Sequence, residues 1–522
     1  MTTTLERVTP FRNESIRDFS QPEDRRSLEA ALAKARGALG GRYPLVIAGK
    51  RIEAQAFIPS FNPARPAEVV GHVAAAGLEQ AAQAVSAAAH AFGQWKTTTA
   101  GERAGVLFRA AAEVRRRRDE FNALLVLEVG KPWVEADADT AEAIDFLEFY
   151  AREALRYDQP LPLTPVAGEK NQLKYIPLGV GIVIPPWNFA FAIMAGMLSA
   201  ALVTGNTVVL KPSSDAAVIA AVFVDLMNAL GLPPGVLNFV PGDGATIGDA
   251  LVANPQTRFI AFTGSKEVGL RINEVASKTQ PGQKWIKRVI AEMGGKDAII
   301  VAADADLDLA VEGVVASAYG FSGQKCSACS RAIVDATIYD GFMQRLEARV
   351  ARLSVGDPLE QANYMGPVIN EKAMKKMLAY IEHGKQEGRL VAGGSRSGSD
   401  GFFVQPTVIA DVKPDAKIMQ EEIFGPVLAV TKAKDFDEAL AIANNTEFGL
   451  TGSVYSKDPK KLERAAAEFF VGNLYFNRKS TGALVCAHPF GGFNMSGTDS
   501  KAGGPDYLLL FMQAKTISEK IG

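Results

Sequence analysis

The segment most able to do chemistry in this 522-residue chain is GFSGQKCSACS, residues 320–330, which carries two of its three cysteines, Cys326 and Cys329. A structural zinc site needs four ligands, whereas one CxxC pair stands here with four histidines scattered along the sequence. A thioredoxin-like CxxC is expected in a small βαβ domain, which position 326 of a long chain does not fit. The spacing therefore favours a nucleophile over metal or disulfide chemistry.

Cys326 has the better surroundings for a nucleophile. A thiolate attacks carbonyl carbon well, the flanking glycine and the Gln-Lys pair leave room for a substrate, and the cation of Lys325 is expected to lower the thiol pKa. The competing interpretation is that Cys326 is a buried small apolar residue, the usual situation of a free cysteine. Composition alone does not separate the two.

The elements that must position this segment show a regular alternation. From residue 179, the β-rich runs GVGIVI, TVVLK, GVLNFV, RFIAFTG and KRVIAEM are separated by helix-length amphipathic segments. This pattern predicts βαβ units and a mostly parallel sheet. A second series from DAIIV (297–301) to about 475 predicts a second α/β domain. Such sheets bind ligands at the carboxyl ends of their strands, often on a helix N-terminus.

The flanking regions are different in character. Residues 1–42 are polar and helix-prone, and we expect an arm packed on the main body. YPLVIAGKRIEA predicts strand–turn–strand, alanine-rich helices follow from about 77 to 157, and the proline-rich residues 158–168 predict an extended crossover. From about 496 the chain is expected to end in a strand-like tail containing LLLFMQAKTIS.

Composition excludes several classes of protein. With 48% hydrophobic and 22% charged residues and a net charge of −2, the chain gives no electrostatic reason to expect nucleic acid or an anionic membrane as partner. The longest apolar run, 190–203, is too short to span a bilayer. The N-terminus lacks the apolar core of a signal peptide, and an odd cysteine count argues against a disulfide framework. We therefore expect a cytoplasmic enzyme with a small-molecule substrate.

Further motifs accompany the cysteine segment, namely PPWNFA (185–190), VLKPSS (209–214), FTGSKEVG (262–269), AEMGGKDA (291–298), EEIFGP (421–426) and HPFGGFNMSG (488–497). In this order they resemble the aldehyde dehydrogenase superfamily, over nearly the whole chain from about residue 43.

One branch of the superfamily is most similar. The motifs GQKCSACSR, YFNRKSTGALV (475–485), KPWVEADADTAEAIDF (131–146) and PFRNE (10–14) point to the enzymes that oxidise L-glutamate γ-semialdehyde to glutamate in proline catabolism, with NAD as cofactor. Some bacteria fuse that enzyme to proline dehydrogenase; this chain has no room for the partner, so we expect a monofunctional enzyme.

The resemblance implies an α/β fold with a Rossmann-like NAD-binding domain, an α/β catalytic domain and a small β-flap for oligomerisation. A homodimer, or a larger closed assembly of dimers, is expected from it. The implied boundaries are an arm at 1–42, the NAD-binding domain at 43–160 and 178–293, the catalytic domain at 294–475, the flap at 161–177 and 496–522, and a substrate-anchor loop region at 476–495 that returns to the NAD-binding domain.

The catalytic roles also follow from the resemblance. Cys326 is the nucleophile, and the Asn188 amide with the backbone N–H of Cys326 forms the oxyanion hole, worth roughly 3 kcal/mol per donor. Glu292 activates the hydrolytic water, which requires a pKa raised by partial burial. Cys329 is then a bystander, and no metal is expected.

For the cofactor, the resemblance assigns Lys211 and Glu422 to the two riboses and Phe424 to the nicotinamide side. Ser265 opens a helix where backbone donors meet the pyrophosphate. The other cofactor-binding residues implied are Ile184, Pro186, Trp187, Ser213, Ser214 and Gly264. Many NAD-preferring relatives carry glutamate at the position of Ser214, so NADP stays open, although NAD is favoured.

For the substrate, a carboxylate needs converging donors, which the resemblance assigns to Ser327, Gly482 and Ala483. Phe490 packs on the aliphatic part, and Glu142, Phe189 and Lys325 lie close by. Two departures affect the anchor loop: Cys486, where relatives often have glycine, and His488.

Three alternatives stay open. The first is another ω-oxo acid such as succinate semialdehyde as the substrate, which a site built for polar partners would discriminate. The second is a catalytically silent dehydrogenase-like scaffold that serves as a structural or binding protein. The third is a thiol–disulfide or zinc protein that uses the CxxC pair.

Overall fold

The computed structural model describes residues 8–398 and 400–521. Residues 1–7 of the predicted arm and Gly522 at the end of the predicted flap lie outside the described residues. The described part of the arm has no helix or strand from residue 8 to 21, where a turn at residues 18–21 leads into the helix Pro22–Gly37, as its polar, helix-prone sequence predicts.

The first third of the chain forms a small sheet and a group of packed helices. The alanine-rich helices predicted over residues 77–157 are present, and the small sheet has the order β1-β5-β4. The elements are α1 (Pro22–Gly37), β1 (Gly41–Tyr43), β2 (Leu45–Ile47), β3 (Lys50–Ile52), β4 (Phe57–Asn62), β5 (Arg65–Ala74), α2 (Leu78–Trp95), α3 (Ala100–Arg116), α4 (Arg118–Val129), α5 (Trp133–Tyr157) and β6 (Glu169–Pro177).

The five β-rich runs predicted between 179 and 293 form the parallel part of a seven-stranded sheet, in the order β11-β10-β7-β8-β9-β2-β3. Strands β7 and β8 are buried almost throughout, as apolar strands covered on both faces should be. The elements are β7 (Val180–Ile184), α6 (Ala192–Val203), β8 (Thr207–Leu210), α7 (Ala217–Ala229), β9 (Leu237–Phe239), α8 (Asp249–Ala253), β10 (Thr257–Thr263), α9 (Lys266–Ser277) and β11 (Arg288–Glu292).

The strands of this sheet end level with one another. Phe262 on β10 pairs with Ile184 on β7, and the next residue, Thr263, pairs with Glu292 on β11. The segments that leave these strands therefore emerge along one edge of the sheet, where parallel sheets bind ligands.

A second seven-stranded sheet, β14-β15-β16-β13-β12-β18-β19, confirms the second predicted α/β series, and the DAIIV segment is its strand β12. All its pairs are parallel except β14 with β15. The elements are β12 (Asp297–Val301), α10 (Leu307–Tyr319), β13 (Cys329–Asp335), α11 (Tyr339–Val350), α12 (Glu371–Glu387), β14 (Arg389–Ala392), β15 (Thr407–Ala410), α13 (Lys417–Gln420), β16 (Val427–Ala433), α14 (Phe436–Asn444), β17 (Phe448–Gly449), β18 (Thr451–Tyr455), α15 (Pro459–Glu468) and β19 (Asn473–Phe476).

The C-terminal tail differs in part from its prediction. After β20 (Phe493–Asn494), the LLLF segment forms a 3-10 helix, Tyr507–Phe511, and only then does β21 (Met512–Lys520) begin. The strand prediction is wrong for this helix because Tyr507, Leu508 and Phe511 are buried in the main core, where Tyr507 stacks on Tyr150. Strand β21 pairs antiparallel with β6 over nine residues to form the two-stranded flap.

Candidate active site at the junction of two cavities

Two cavities meet at Cys326. The first, called here the sheet-edge cavity, lies along the carboxyl ends of the first sheet. The second, called the helix cavity, lies between α5, α6 and the C-terminal segments. Both are lined by Cys326 together with Ile193, Thr263 and Met293. A thiol at this junction can react with a molecule in one cavity while a second molecule occupies the other.

All ten residues predicted to bind the cofactor line the sheet-edge cavity. They come from the segments that follow the parallel strands and from the loop before β16. They are Ile184, Pro186, Trp187, Lys211, Ser213, Ser214, Gly264, Ser265, Glu422 and Phe424.

The polar groups of this cavity suit a dinucleotide. The Lys211 side chain is buried and, within the described part of the chain, contacts only the Pro212 carbonyl at 3.5 Å, so its ammonium keeps free donors. Burial lowers the pKa of Lys211. Ser265 caps α9 by accepting a hydrogen bond from Val268 N–H, and the N-terminus of such a helix favours an anion.

Close packing shapes the opposite wall. The carboxylate of Glu422 accepts a hydrogen bond of 3.0 Å from Gly295 N–H and occupies the space that a Cβ on Gly294 would need. Phe424 has a φ of 62°, a left-handed conformation that non-glycine residues rarely adopt, and its ring packs edge-on against Trp187. These residues fit a ribose and a flat ring, so the cavity fits the cofactor that the sequence predicts.

The backbone before the nucleophile is unusual. Phe321, Ser322 and Gly323 are consecutive residues with φ of 49°, 55° and 68°, conformations that cost energy for the first two and cluster at functional sites. Burial, followed by the carboxylates of Asp297, Glu292 and Glu422, raises the pKa of the Cys326 thiol well above its usual value. In the ligand-free protein Cys326 is therefore a neutral thiol, and its reaction requires a base.

The two cysteines of the CxxC segment face different surroundings. Cys326 is partly exposed at the cavity junction, whereas Cys329 is buried at the start of β13, in the core of the second sheet. The Cys329 thiol donates to the Arg331 carbonyl at 3.4 Å, and burial raises its pKa to about 12. Cys329 thus has the environment of a structural cysteine.

The predicted oxyanion donor lies beside the nucleophile. Asn188 is buried in the segment after β7, and its Nδ2 donates to the carbonyl of Gln324 at 3.0 Å, two residues before Cys326. An amide nitrogen has two hydrogens, so the second one is free to point into the sheet-edge cavity that Asn188 and Cys326 share.

Glu292 is held by partners that the sequence analysis missed. Its Oε1 accepts hydrogen bonds from Ser500 Oγ (2.6 Å) and Ser500 N–H (3.2 Å), and its Oε2 accepts one from Gly492 N–H (3.2 Å). Burial raises the pKa of Glu292 to about 7, against the opposing effect of these hydrogen bonds. A carboxylate with such a pKa can act as a base near neutral pH.

The helix cavity contains six of the seven residues predicted for the substrate. The walls come from α5, α6, the nucleophile turn and the segments around 482–490 and 502–507. The predicted residues present are Glu142, Phe189, Ser327, Gly482, Ala483 and Phe490. Phe146, Tyr150, Met197 and Tyr507 also line this cavity and were missed. The helical spacing of 142, 146 and 150 could have identified the α5 residues.

Lys325 is the exception. Its ammonium forms an ion pair of 2.6 Å with Glu135 and does not line the helix cavity. The expectation that it lowers the pKa of Cys326 is wrong, because Glu135 on α5 draws the cation away and burial dominates at the thiol. Glu135 is the missed partner.

The anchor loop is fixed from behind by its own side chains. Arg478 donates to the carbonyls of Thr481 and Gly482 at 3.0 and 3.2 Å, and His488 Nδ1 accepts from Leu484 N–H at 3.1 Å. Cys486 has a φ of 67°, which explains why glycine suits this position. Both departures are therefore accommodated within a well-connected loop.

The loop presents free donors to the helix cavity. In the described residues, neither Gly482 N–H nor Ala483 N–H donates a hydrogen bond, and the Ser327 hydroxyl has no partner. Glu142 faces the same cavity, and burial, with Asp139 second, raises its pKa to about 8. The cavity thus combines anion-binding donors, a carboxyl group and an apolar wall.

Comparison with known proteins agrees with this geometry. The model of the aldehyde dehydrogenase family matches residues 51–517, and the chain belongs to that family.

The similar proteins are more specific. The chain is 60% identical to a 1-pyrroline-5-carboxylate dehydrogenase of Geobacillus thermodenitrificans, over 98% of this chain and 99% of that one. It is 58% identical to 1-pyrroline-5-carboxylate dehydrogenase 2 of Bacillus subtilis, with the same coverage. A crystal structure of 1-pyrroline-5-carboxylate dehydrogenase from Thermus with bound NAD superposes with a TM-score of 0.97 at 52% identity, over 98% of this chain and 100% of that one.

Proposed function

We propose that this protein oxidises L-glutamate γ-semialdehyde, the ring-opened form of 1-pyrroline-5-carboxylate, to L-glutamate with NAD, in proline catabolism. The observation that carries the proposal is the set of unpartnered donors, Ser327 Oγ, Gly482 N–H and Ala483 N–H, in the cavity that ends at Cys326. Nearly full-length similarity to enzymes named for this substrate supports it.

The reaction begins when the Cys326 sulfur attacks the aldehyde carbon after Glu292 accepts the thiol proton. The new C–S bond gives a hemithioacetal, whose oxyanion Asn188 and the Cys326 N–H stabilise. The residues that line the sheet-edge cavity would hold NAD, which when bound would accept the hydride that leaves this carbon. Glu292 must first release the thiol proton to solvent. Its carboxylate then takes a proton from water as the water attacks the thioester on Cys326, the C–S bond breaks, and glutamate leaves while the Cys326 thiolate takes up a proton to regenerate the thiol.

Glu142 is the residue that separates the two candidate substrates. Glutamate semialdehyde carries an α-ammonium group and succinate semialdehyde does not. Glu142 is a partly buried carboxyl group with a raised pKa, and a nearby cation would favour its ionised form. We propose that it binds the ammonium group, while the three donors bind the α-carboxylate.

The test compares NADH formation from glutamate semialdehyde, succinate semialdehyde and propanal, in wild type and in Glu142→Gln. The wild type is expected to prefer glutamate semialdehyde by at least about 100-fold in kcat/KM, because the anchor groups are unpaired without it. Glu142→Gln should reduce this preference and leave propanal oxidation unchanged. A wild type that prefers succinate semialdehyde would establish the alternative substrate, and a folded protein inactive on all three would establish a silent scaffold.

We also propose that the protein forms homodimers or larger assemblies in the cytoplasm. The flap supports assembly because most residues of β21 and the start of β6 are exposed, and Ile517 shows an apolar side chain to solvent. A flap of two strands has open edges that another chain can pair with. The three free cysteines suit a reducing compartment. The described residues contain no helix that is long and apolar enough to cross a membrane.

A further inference from the structure

The N-terminal arm runs along one face of α5. Phe19 packs edge-on against Trp133, Arg17 N–H donates to Asp137 at 2.8 Å, and Phe11 packs against Phe149. Trp133 and Asp137 are four positions apart and lie on one side of the helix, and Phe149, twelve positions after Asp137, lies about a third of a turn further round. The arm therefore contacts α5 over most of its length.

The other side of α5 belongs to the active site. Glu142, Phe146 and Tyr150 line the helix cavity, and Glu135 holds Lys325. Glu142, Phe146 and Tyr150 follow one another at intervals of four positions, and Glu135 lies seven positions before Glu142, so the four form a second stripe on the same helix. A shift or rotation of α5 would thus move the cavity wall, and the arm lies where it can prevent this.

Asn13 connects the arm to two elements at once. Its Nδ2 donates to Asp145 Oδ2 on α5 at 2.9 Å and to the carbonyl of Val485 at 2.9 Å. Val485 is buried in the anchor loop, two residues after Ala483. One amide group thus joins α5, which carries Glu142, to the loop that carries the predicted carboxylate donors.

The position of Asn13 is itself well fixed. The next residue, Glu14, donates its N–H to the second oxygen of Asp145 at 2.6 Å. Arg118 donates to the Ser15 carbonyl at 2.7 Å and forms a buried ion pair with Asp137. Both hydrogens of the Asn13 amide face acceptors, so an asparagine can satisfy this site and an aspartate cannot.

We infer that Asn13 is a positioning residue that sets the anchor loop against α5, so that the N-terminal arm takes part in selecting the substrate. The arm lies before residue 51, where the match to the family model begins, so this contact is additional to the part of the chain that defines the family. The inference rests on the proposed function for the identity of the substrate.

The test uses Asn13→Ala and the isosteric Asn13→Asp in the full-length protein. Loss of one or two hydrogen bonds, one of them to a carboxylate, is expected to raise KM for glutamate semialdehyde about tenfold. The kcat at saturation, KM for NAD and kcat/KM for propanal should change less than about twofold, because propanal does not use the anchor loop. Asn13→Asp should be the more damaging variant, since it places a second carboxylate against that of Asp145.

Gln21→Ala is the matched control. Gln21 is an exposed amide on the same arm, and its Nε2 contacts only Asp18 within the described residues. The Gln21→Ala variant should keep the wild-type kcat, KM for glutamate semialdehyde, KM for NAD and kcat/KM for propanal.

Hydrogen–deuterium exchange of residues 482–490 gives a readout that does not depend on the substrate. We expect these residues to exchange faster than in wild type in both Asn13 variants, and at the wild-type rate in Gln21→Ala. Unchanged exchange together with unchanged KM would overturn the inference, and so would an equal loss with propanal and the semialdehyde. A wild type inactive on the semialdehyde would contradict the proposed function instead, and the exchange result would then decide the role of Asn13.

Discussion

The two cavities that meet at Cys326 are built in different ways. The sheet-edge cavity takes most of its walls from segments that directly follow β7, β8, β10 and β11. The helix cavity gathers its walls from α5, α6, the nucleophile turn and segments near 482–507. The first follows from the geometry of any parallel sheet, whereas the second depends on how distant segments of this chain pack. Reaction chemistry and substrate choice are therefore encoded at different levels of the structure.

The largest expected effect comes from the residue that both cavities share. Cys326→Ala should lower kcat/KM for every aldehyde by about 1,000-fold or more, because the reaction loses its nucleophile. Binding of NAD, measured by calorimetry, should persist, since the alanine leaves the other walls of the sheet-edge cavity in place.

Cys329→Ala is the matched control three residues away. It faces the core of the second sheet, so activity should stay within about threefold of wild type while the free energy of unfolding falls by roughly 1 kcal/mol. A folded but inactive Cys329→Ala protein would mean that both sulfurs take part, and it would restore the CxxC interpretation.

The next effect concerns the base, which lines only the helix cavity. Glu292→Gln should lower kcat by about 10²- to 10⁴-fold. Because Glu292 acts only when ionised and its pKa is about 7, wild-type activity should fall as the pH drops below that value, and the variant should lose this dependence.

Ser500→Ala tests how hydrogen bonding sets the pKa of Glu292. The hydrogen bond from Ser500 Oγ lowers the pKa of Glu292, so its loss should move the acid limb of the kcat–pH profile to higher pH, while the Ser500 N–H bond is kept. Thr498→Val is the control, because Thr498 bonds the backbone of Ala291 and not the carboxylate. An acid limb that stays in place in Ser500→Ala would show that Ser500 does not tune the pKa of Glu292. An equal shift in Thr498→Val would show that the effect is not specific to the Ser500 hydroxyl.

The smallest effects should separate the two cavities. Lys211→Met should raise KM for NAD about tenfold, since a buried cation with free donors is lost, and should leave KM for the aldehyde unchanged. Phe490→Leu should raise KM for glutamate semialdehyde and leave KM for NAD unchanged. Steady-state kinetics with each substrate varied in turn measures both, and a variant that changes both constants equally would mean that the cavities are coupled.

Much of the fold follows from local sequence pattern. The alternation of β-rich and amphipathic runs predicts both parallel sheets, because each strand and helix is specified within about 10 residues. The tail was less predictable: LLLF has strand-like composition, and only its burial beside Tyr150 makes it a 3-10 helix. Composition does not reveal such tertiary choices.

The candidate site shows the same limit. Cys326, Glu292 and Lys211 lie in short motifs and were identified, but the partners that tune them were not. Ser500 is 208 positions from Glu292, and Glu135 is 190 positions from Lys325. Contacts at such separations depend on the packed fold, so the sequence identified the reactive groups and not their electrostatic environment.

The wide separation of the helix-cavity segments also has a consequence for biosynthesis. A growing chain has all the walls of the sheet-edge cavity once residue 424 has left the ribosome. The helix cavity is complete only after Tyr507 has been synthesised. Asn13 is among the first residues synthesised, but its hydrogen-bond acceptor in the anchor loop, Val485, is synthesised much later. Since domains fold as units during synthesis, and the second sheet ends with β19 at Phe476, the cofactor cavity can be complete before the segments that select an aldehyde.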